Sequence, residues 1–284
     1  MDDHRNMREL PTGIVYGNNK SLLHLLLRFM YRAVATTGFF SSRFGMDSYA
    51  FIYGGFKNIT EGKVRNKVLE FIRPGTMVID VGANIGTFTS LLLSKVGTNG
   101  LVVAVEPESR NIKNLQQSFS KELESGQLKI FDCAVTDKQG DCYLHVDPCN
   151  PGGHTLASRG IPIKGITIDQ IVSDIGLIPT FIKVDVEGYE AKVFCGAKGT
   201  INKFHPVIFT EFNPLLMSQC GSNAHKFLQD VTDYGYSIFL FEKGPRIQEV
   251  SHEQIIEKSS EHGWIDLLML YKHSNLYINT TRKT

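Results

Sequence analysis

The sequence predicts an α/β chain built on a doubly wound sheet of seven strands, mostly parallel with an antiparallel edge hairpin, behind an amino-terminal helical cap. Three observations carry that expectation. Strand-length apolar runs alternate with helix-length segments from Thr76 onward. The first run, Met77 to Val81, is apolar except for Asp80, as befits a strand buried on both faces of a parallel sheet. Two late runs, Tyr236 to Glu242 and Trp264 to Tyr271, follow one another without a full helical crossover.

Residues 1–60 carry glycines, aromatics and one leucine-rich stretch but no strand–helix alternation, so the chain divides into a cap of 1–60 and a main domain of 61–284. The leucine-rich stretch, Ser21 to Ala35, contains His24, Arg28 and Arg32. It is too short and too charged to span a bilayer, which needs roughly 20 apolar residues, and reads as an amphipathic helix packed on the main domain, with attachment to a membrane surface as the alternative. Glu61 to Arg73 places Val64, Val68, Leu69 and Ile72 on one helical face, and Pro74-Gly75 ends it before the first strand. After Met77–Val81, Thr87 to Leu93 resumes as a helix, Leu101 to Glu106 is the second strand, Arg110 to Leu123 a helix and Gln127 to Phe131 the third strand. Between Thr136 and Gly165 the alternation breaks into short β-like pieces with Gly140, Pro148, Pro151, Gly152 and Gly153, an insertion near the site. Thr167 to Ile175 is helical, Phe181 to Glu190 is a strand running into a helix, and Val207 to Phe212 is a further strand.

Between the first strand and its helix lies Gly82-Ala83-Asn84-Ile85-Gly86. Glycines at the two ends accept unusual dihedrals and let a ligand approach the backbone, and the free N–H groups at the helix start favour a carboxylate or phosphate. A dinucleotide fingerprint requires G-x-G-x-x-G, but Asn84 stands where the second glycine belongs and Phe88 where the third would be. That argues against the rival reading, a nicotinamide-dependent oxidoreductase. Glu106 closes the second strand, where an acid can accept hydrogen bonds from both ribose hydroxyls of a nucleoside ligand. Asp132-Cys133-Ala134, at the end of the third strand, lie where such a sheet could reach an adenine ring.

Composition bounds the rest. With 284 residues, 42% hydrophobic and 21% charged, the chain has the make-up of a soluble globular protein. A formal net charge of +1 gives no electrostatic reason to expect nucleic-acid binding. The five cysteines (133, 142, 149, 195 and 220) are scattered and show no C-x-x-C spacing, which suits reduced thiols in a cytoplasmic protein. No secretory signal pattern opens the chain.

A second signature follows: T-I-D-Q-I at Thr167 to Ile171, then F-I-K-V-D-V-E-G-Y-E at Phe181 to Glu190. Lys183 and Asp185 lie two apart on one side of a strand and Glu187 just beyond its end, so three ionisable groups gather at the carboxyl edge of the sheet, where α/β proteins bind ligands. Taken in order, D-V-G-A-N-I-G, V-E-P, T-I-D-Q-I and K-V-D-V-E-G-Y-E resemble the FkbM-type methyltransferases, over roughly Glu61 to Leu270. These are class I S-adenosylmethionine-dependent enzymes with a Rossmann-like fold. Most O-methylate hydroxyls of sugars, polysaccharides and secondary metabolites.

The resemblance implies methyl transfer from a sulfonium to an oxygen of a small-molecule or glycan acceptor. Gly82, Asn84 and Gly86 would line the methionine part, Thr87 opens the helix that faces its carboxylate, Glu106 would hold the ribose, and Asp80 the ammonium group, unless it only caps the loop. An alcohol needs its proton removed, by a base or with help from a metal. Asp185, Glu187 and Glu211 compete for that role, with His154 a further candidate. Asp185, Glu211 and Asn213 would make an oxygen-ligand set for Mg²⁺, the alternative to the favoured direct base. A non-catalytic S-adenosylmethionine-binding protein is the remaining rival. The sequence leaves the oligomeric state open.

Overall fold

The computed structural model describes residues 62–146, 154–241 and 246–281. The expected cap of 1–60, its Ser21–Ala35 helix and Cys149 lie outside them.

In chain order the elements are helix α1 (62–69), β1 (Met77–Val81), α2 (Thr87–Val96), β2 (Leu101–Glu106), α3 (Ser109–Ser118), α4 (Ser120–Glu124), β3 (Leu128–Asp132), β4 (Ala134–Val135), β5 (Gly140–His145), β6 (Thr155–Ala157), β7 (Ile161–Ile166), α5 (Ile168–Ile175) and β8 (Pro179–Val184). There follow α6 (Glu190–Cys195), α7 (Lys198–Phe204), β9 (Val207–Phe212), α8 (Pro214–Gln219), α9 (Ala224–Asp233), β10 (Tyr236–Phe241), β11 (Ile247–Glu249), α10 (His252–His262), β12 (Ile265–Tyr271) and α11 (Asn275–Thr281).

The main sheet runs β11-β10-β12-β9-β8-β1-β2-β3. The doubly wound, mostly parallel reading holds, with two refinements. The antiparallel strand β12 is inserted between β9 and β10 and is not at the edge. Its strand-to-strand connection contains α10, whose sequence has a capping box, Ser251 with Gln254, that marks a helix start. The eighth strand, the three-residue β11, pairs antiparallel with β10 and forms the edge. A run that short carries almost no periodicity.

Side-chain alternation sends β1 residues to two cores. Met77, Ile79 and Val81 join one with α5, α6, α7, α9 and α10 residues; Val78 joins the other with α1, α2 and α3. Asp80 and Lys183 share the second face with Val78 and Phe181, and they are registered neighbours across β1 and β8.

Two helix boundaries differ from expectation. Helix α1 ends at residue 69 because its last turn tightens: Glu70, Phe71 and Ile72 donate to Lys67, Val68 and Leu69, three residues back. The single helix expected over Arg110–Leu123 is broken at Phe119, which leaves helical geometry at φ −121° and ψ 34° as its ring packs on Gly86.

The insertion is a separate four-stranded sheet, β4-β7-β5-β6, which starts two residues after β3 ends. Among the described residues no helix is long and apolar enough to cross a membrane.

Candidate active site

One pocket gathers the carboxyl ends of β1, β2, β8 and β9. Its floor is the turn after β1. Gly82 and Ala83 donate to the Val105 carbonyl at 3.0 and 3.1 Å, which ties the turn to β2. Gly82 has φ 75°, and a side chain there would collide with the Asp185 carbonyl. Its glycine is therefore required by the loop after β8, which closes on the turn. Gly86, φ 88°, faces Phe119 and Leu115 and is not part of the pocket wall. Gly82, Asn84, Ile85 and Thr87 are in that wall.

Glu106 lies in the pocket wall at the tip of β2 and is only 4% exposed. Its Oε2 accepts from the Asn84 N–H at 2.8 Å, and its Oε1 accepts from the Glu108 N–H at 3.0 Å and the Asn111 side chain at 3.2 Å. Burial outweighs those bonds and pushes its carboxyl up to about 7. Asn84 holds the left-handed conformation, φ 51°, that aims its N–H at Glu106.

Asp80 is not in the pocket wall. It is fully buried beneath the turn, where Oδ2 accepts from the Thr89 hydroxyl at 2.7 Å and Oδ1 lies 3.3 Å from Lys183 Nζ. Lys183 also donates to the Gly82 carbonyl at 2.9 Å and reaches Asp185 Oδ2 at 3.5 Å. It is thus an ion-pair partner that links Asp80, the turn and Asp185. Asp132 is exposed and outside the wall; its neighbours Cys133, Ala134 and Val135 form that side.

Asp185, Glu187 and Glu211 all line the pocket, as do His154, Thr155 and Leu156 from the insertion. Burial first, then the charges of Asp185, Glu187 and Asp266, hold the Glu211 carboxyl well above the usual range. Asn213 does not join them: its Oδ1 accepts from the Leu216 N–H at 3.1 Å and caps α8. Asn213, held in that cap, is not brought to Asp185 and Glu211 as the Mg²⁺ set read from the sequence requires, and among the described residues no three His, Cys, Asp or Glu side chains converge to hold a metal ion. His205 lies away from the pocket, stacked on Tyr271 with ring centres 3.7 Å apart.

Several wall residues escaped the sequence reading: Arg65 on α1, Asn111 on α3, and Trp264 and Asp266 at the start of β12. The alternation Trp264-Ile265-Asp266 ahead of an apolar run was the available signal for the last two. Glu190 was also missed. Its buried Oε1 accepts from the N–H groups of Val186 and Gly188, both at 3.2 Å, and so shapes the loop on which Asp185 and Glu187 stand. Glu187 itself is left-handed at φ 52°.

Residues 80–238 match the methyltransferase FkbM domain, more than half of the chain. The chain belongs to the FkbM methyltransferase family. This FkbM-family protein, an S-adenosylmethionine-dependent methyltransferase by family, is also similar to the hexuronic acid methyltransferase AglP of Haloferax volcanii. The identity is 26% over 179 residues, 62% of this chain and 72% of AglP. Among solved structures it is similar to an FkbM methyltransferase from Methylobacillus flagellatus KT (20% identity, TM-score 0.45, 71% of this chain), of which the match spans only 44%. It is also similar to Aeropyrum pernix fibrillarin with bound S-adenosyl-L-methionine (10% identity, TM-score 0.42, 70% of this chain and 67% of that one).

Proposed function

We propose that this methyltransferase O-methylates a hydroxyl of a sugar or a related polyol. The observation that carries the reading is the pairing, within one pocket, of Glu106 at the tip of β2 with Asp185 at the end of β8.

The donor set suits S-adenosylmethionine. Glu106 offers a buried carboxylate for the ribose hydroxyls, Cys133, Ala134 and Val135 offer an apolar wall for a flat base, and Asn84, Ile85 and Thr87 line the turn for the amino-acid end. When bound, the cofactor supplies an electrophilic methyl group. Asp80, enclosed by Thr89 and Lys183, supports the turn from beneath and does not touch the ligand.

The work of the chain is to place an acceptor oxygen and take its proton. Asp185, held 3.5 Å from the Lys183 ammonium at the end of β8, is the group we assign to accept the proton as the oxygen–carbon bond forms. Glu211, whose carboxyl burial first and then Asp185, Glu187 and Asp266 push well above the usual range, lines the acceptor's part of the pocket. Glu187 and His154 complete the wall around it. The protein AglP is named for a sugar acid, which supports a sugar acceptor here.

The test is a thermal-shift and transfer pair. S-adenosylmethionine and its demethylated product should raise the melting temperature, because a ligand that binds only the native state stabilises it, while NAD and NADP should not. Labelled methyl should then appear as a base-stable ether on a sugar. Dinucleotide binding without binding of the sulfonium would sink the reading.

A further inference from the structure

The insertion sheet brings an apolar corner to the acceptor's end of the pocket. Its strands run β4-β7-β5-β6, so β4, whose Ala134 and Val135 offer the wall for a flat base, and β6 are the two outer strands, about 14 Å apart at the usual strand spacing. Strand β6 lies instead beside the loop after β8. Thr155 Oγ1 is 3.9 Å from Cys220 Sγ, and the same thiol donates to the Glu187 carbonyl at 3.9 Å, which ties β6 to the loop carrying Asp185 and Glu187.

The next residue on β6 is Leu156, the registered partner of Leu144 on β5, and both side chains line the pocket. Leu144 is buried, yet neither leucine joins the two cores of the main sheet. Tyr189, from the loop after β8, completes the corner. It lines the same pocket half-buried, and burial first, then the fields of Cys220 and Cys142, push its hydroxyl's pKa up. Cys142 stands two residues before Leu144, on the same face of β5. The hydroxyl rim of a sugar would lose its water against this corner without gaining a hydrogen bond from the leucines, which costs free energy. A hydrocarbon group gains there by leaving water. One end of the pocket is therefore polar, with Asp185, Glu187 and Glu211, and the corner beside it is apolar.

Resting on the sugar-methylating reading of this pocket, we infer that the acceptor is a glycoside whose apolar aglycone, an alkyl or aryl group, sits against Leu144, Leu156 and Tyr189, and that Leu156 selects for it. The sugar then faces the carboxyl groups at the ends of β8 and β9, and the aglycone lies along β5 and β6.

The full chain, saturated with S-adenosylhomocysteine, is titrated by calorimetry with the methyl and hexyl glycosides of glucose, galactose and mannose, the hexyl compounds kept monomeric. For at least one sugar the hexyl glycoside should bind at least about tenfold more tightly than the methyl glycoside, the worth of about two buried methylenes. In Leu156→Asn, which puts an amide in the corner, that ratio should fall below about threefold while affinity for S-adenosylhomocysteine stays within about threefold of the parent. Equal affinities for the two glycosides of every sugar overturn the inference, and the parent protein alone can give that result. A folded Leu156→Asn that binds S-adenosylhomocysteine about tenfold more weakly also overturns it, because the corner would then belong to the cofactor. Failure of the sugar-methylating reading looks different. It removes S-adenosylmethionine binding or leaves every glycoside unmethylated, and takes this inference with it, whereas this inference alone fails when methyl transfer is intact and shows no alkyl preference.

Discussion

Lys183 and Asp80 are registered neighbours on β8 and β1, and their charged ends meet 3.3 Å apart with both side chains buried. Deleting one member of such a pair strands the other charge away from water, which costs about 3–5 kcal/mol, whereas replacing both with neutral groups costs much less. Lys183→Met should therefore lose about that much stability in chemical denaturation, and Lys183→Met with Asp80→Asn should recover a large part. A single-variant loss below about 1 kcal/mol would mean that water reaches the pair in solution.

Glu106 should make cofactor binding depend on pH. Its carboxyl lies at about 7 in the folded chain against 4.5 ordinarily, so the native state favours its protonated form. Ribose hydroxyls donate to the ionised form, so affinity for the demethylated cofactor should rise with pH up to about 7 and flatten above it. Below about 7 the loss approaches tenfold per pH unit. Calorimetry from pH 5.5 to 8.5 reads this directly. Glu106→Gln should bind at least about tenfold more weakly at pH 8 and lose the pH slope; an unchanged slope would locate the titrating group elsewhere.

Stability of the unliganded protein should run the other way. Both Glu106 and Glu190 are raised by burial to about 7. Their contribution is fully present below the unfolded value near 4.5 and is lost as pH rises through about 7, by at most about 1.4 kcal/mol per pH unit for each group. Glu190→Gln, which keeps an acceptor for Val186 and Gly188 but cannot ionise, should reduce that slope and stabilise the protein at pH 8. Glu190→Ala should destabilise it, because two N–H groups of the loop lose their partner. A Gln variant less stable than the parent at pH 8 would show that the negative charge itself holds the loop.

Much of this site was legible in the sequence, and its omissions have physical causes. The turn, Glu106 and the Lys183-Asp185-Glu187 cluster follow from local rules: period-two alternation, glycine spacing and the position of strand ends. The reason for each glycine did not. Gly82 accommodates the Asp185 carbonyl and Gly86 the Phe119 ring, contacts with segments roughly 100 and 30 residues away that no local pattern encodes. Asp132 was expected at the pocket because it ends β3, yet a strand end offers alternate residues to opposite sides, and Cys133 faces inward. Asp266 enters because β12 is inserted beside β9, a topological fact that its own residues do not announce.

The division of labour between Asp185 and Glu211 is open to a direct measurement. If Asp185 takes the acceptor proton, Asp185→Asn should lower turnover by about two to four orders of magnitude, the usual worth of a positioned base, with cofactor affinity little changed. Burial and its acidic neighbours push the Glu211 carboxyl upward, toward its neutral form, so Glu211 should tolerate replacement by its neutral isostere. Glu211→Gln should hold turnover within about tenfold of the parent at pH 7, while Glu211→Ala, which cannot donate a hydrogen bond, should raise the acceptor KM. The pH profile adds an independent check. An alkaline loss of activity present in the parent and absent from Glu211→Gln would show that the neutral form of Glu211 is the active one, the direction in which burial and its acidic neighbours push it. Activity that disappears on chelation, returns with Mg²⁺ and falls equally in Asp185→Asn and Glu211→Gln would replace the direct base with a metal held by the same carboxylates. Near-normal turnover of Asp185→Asn on a verified acceptor would remove Asp185 from the mechanism and leave His154 as the next group in the wall to test.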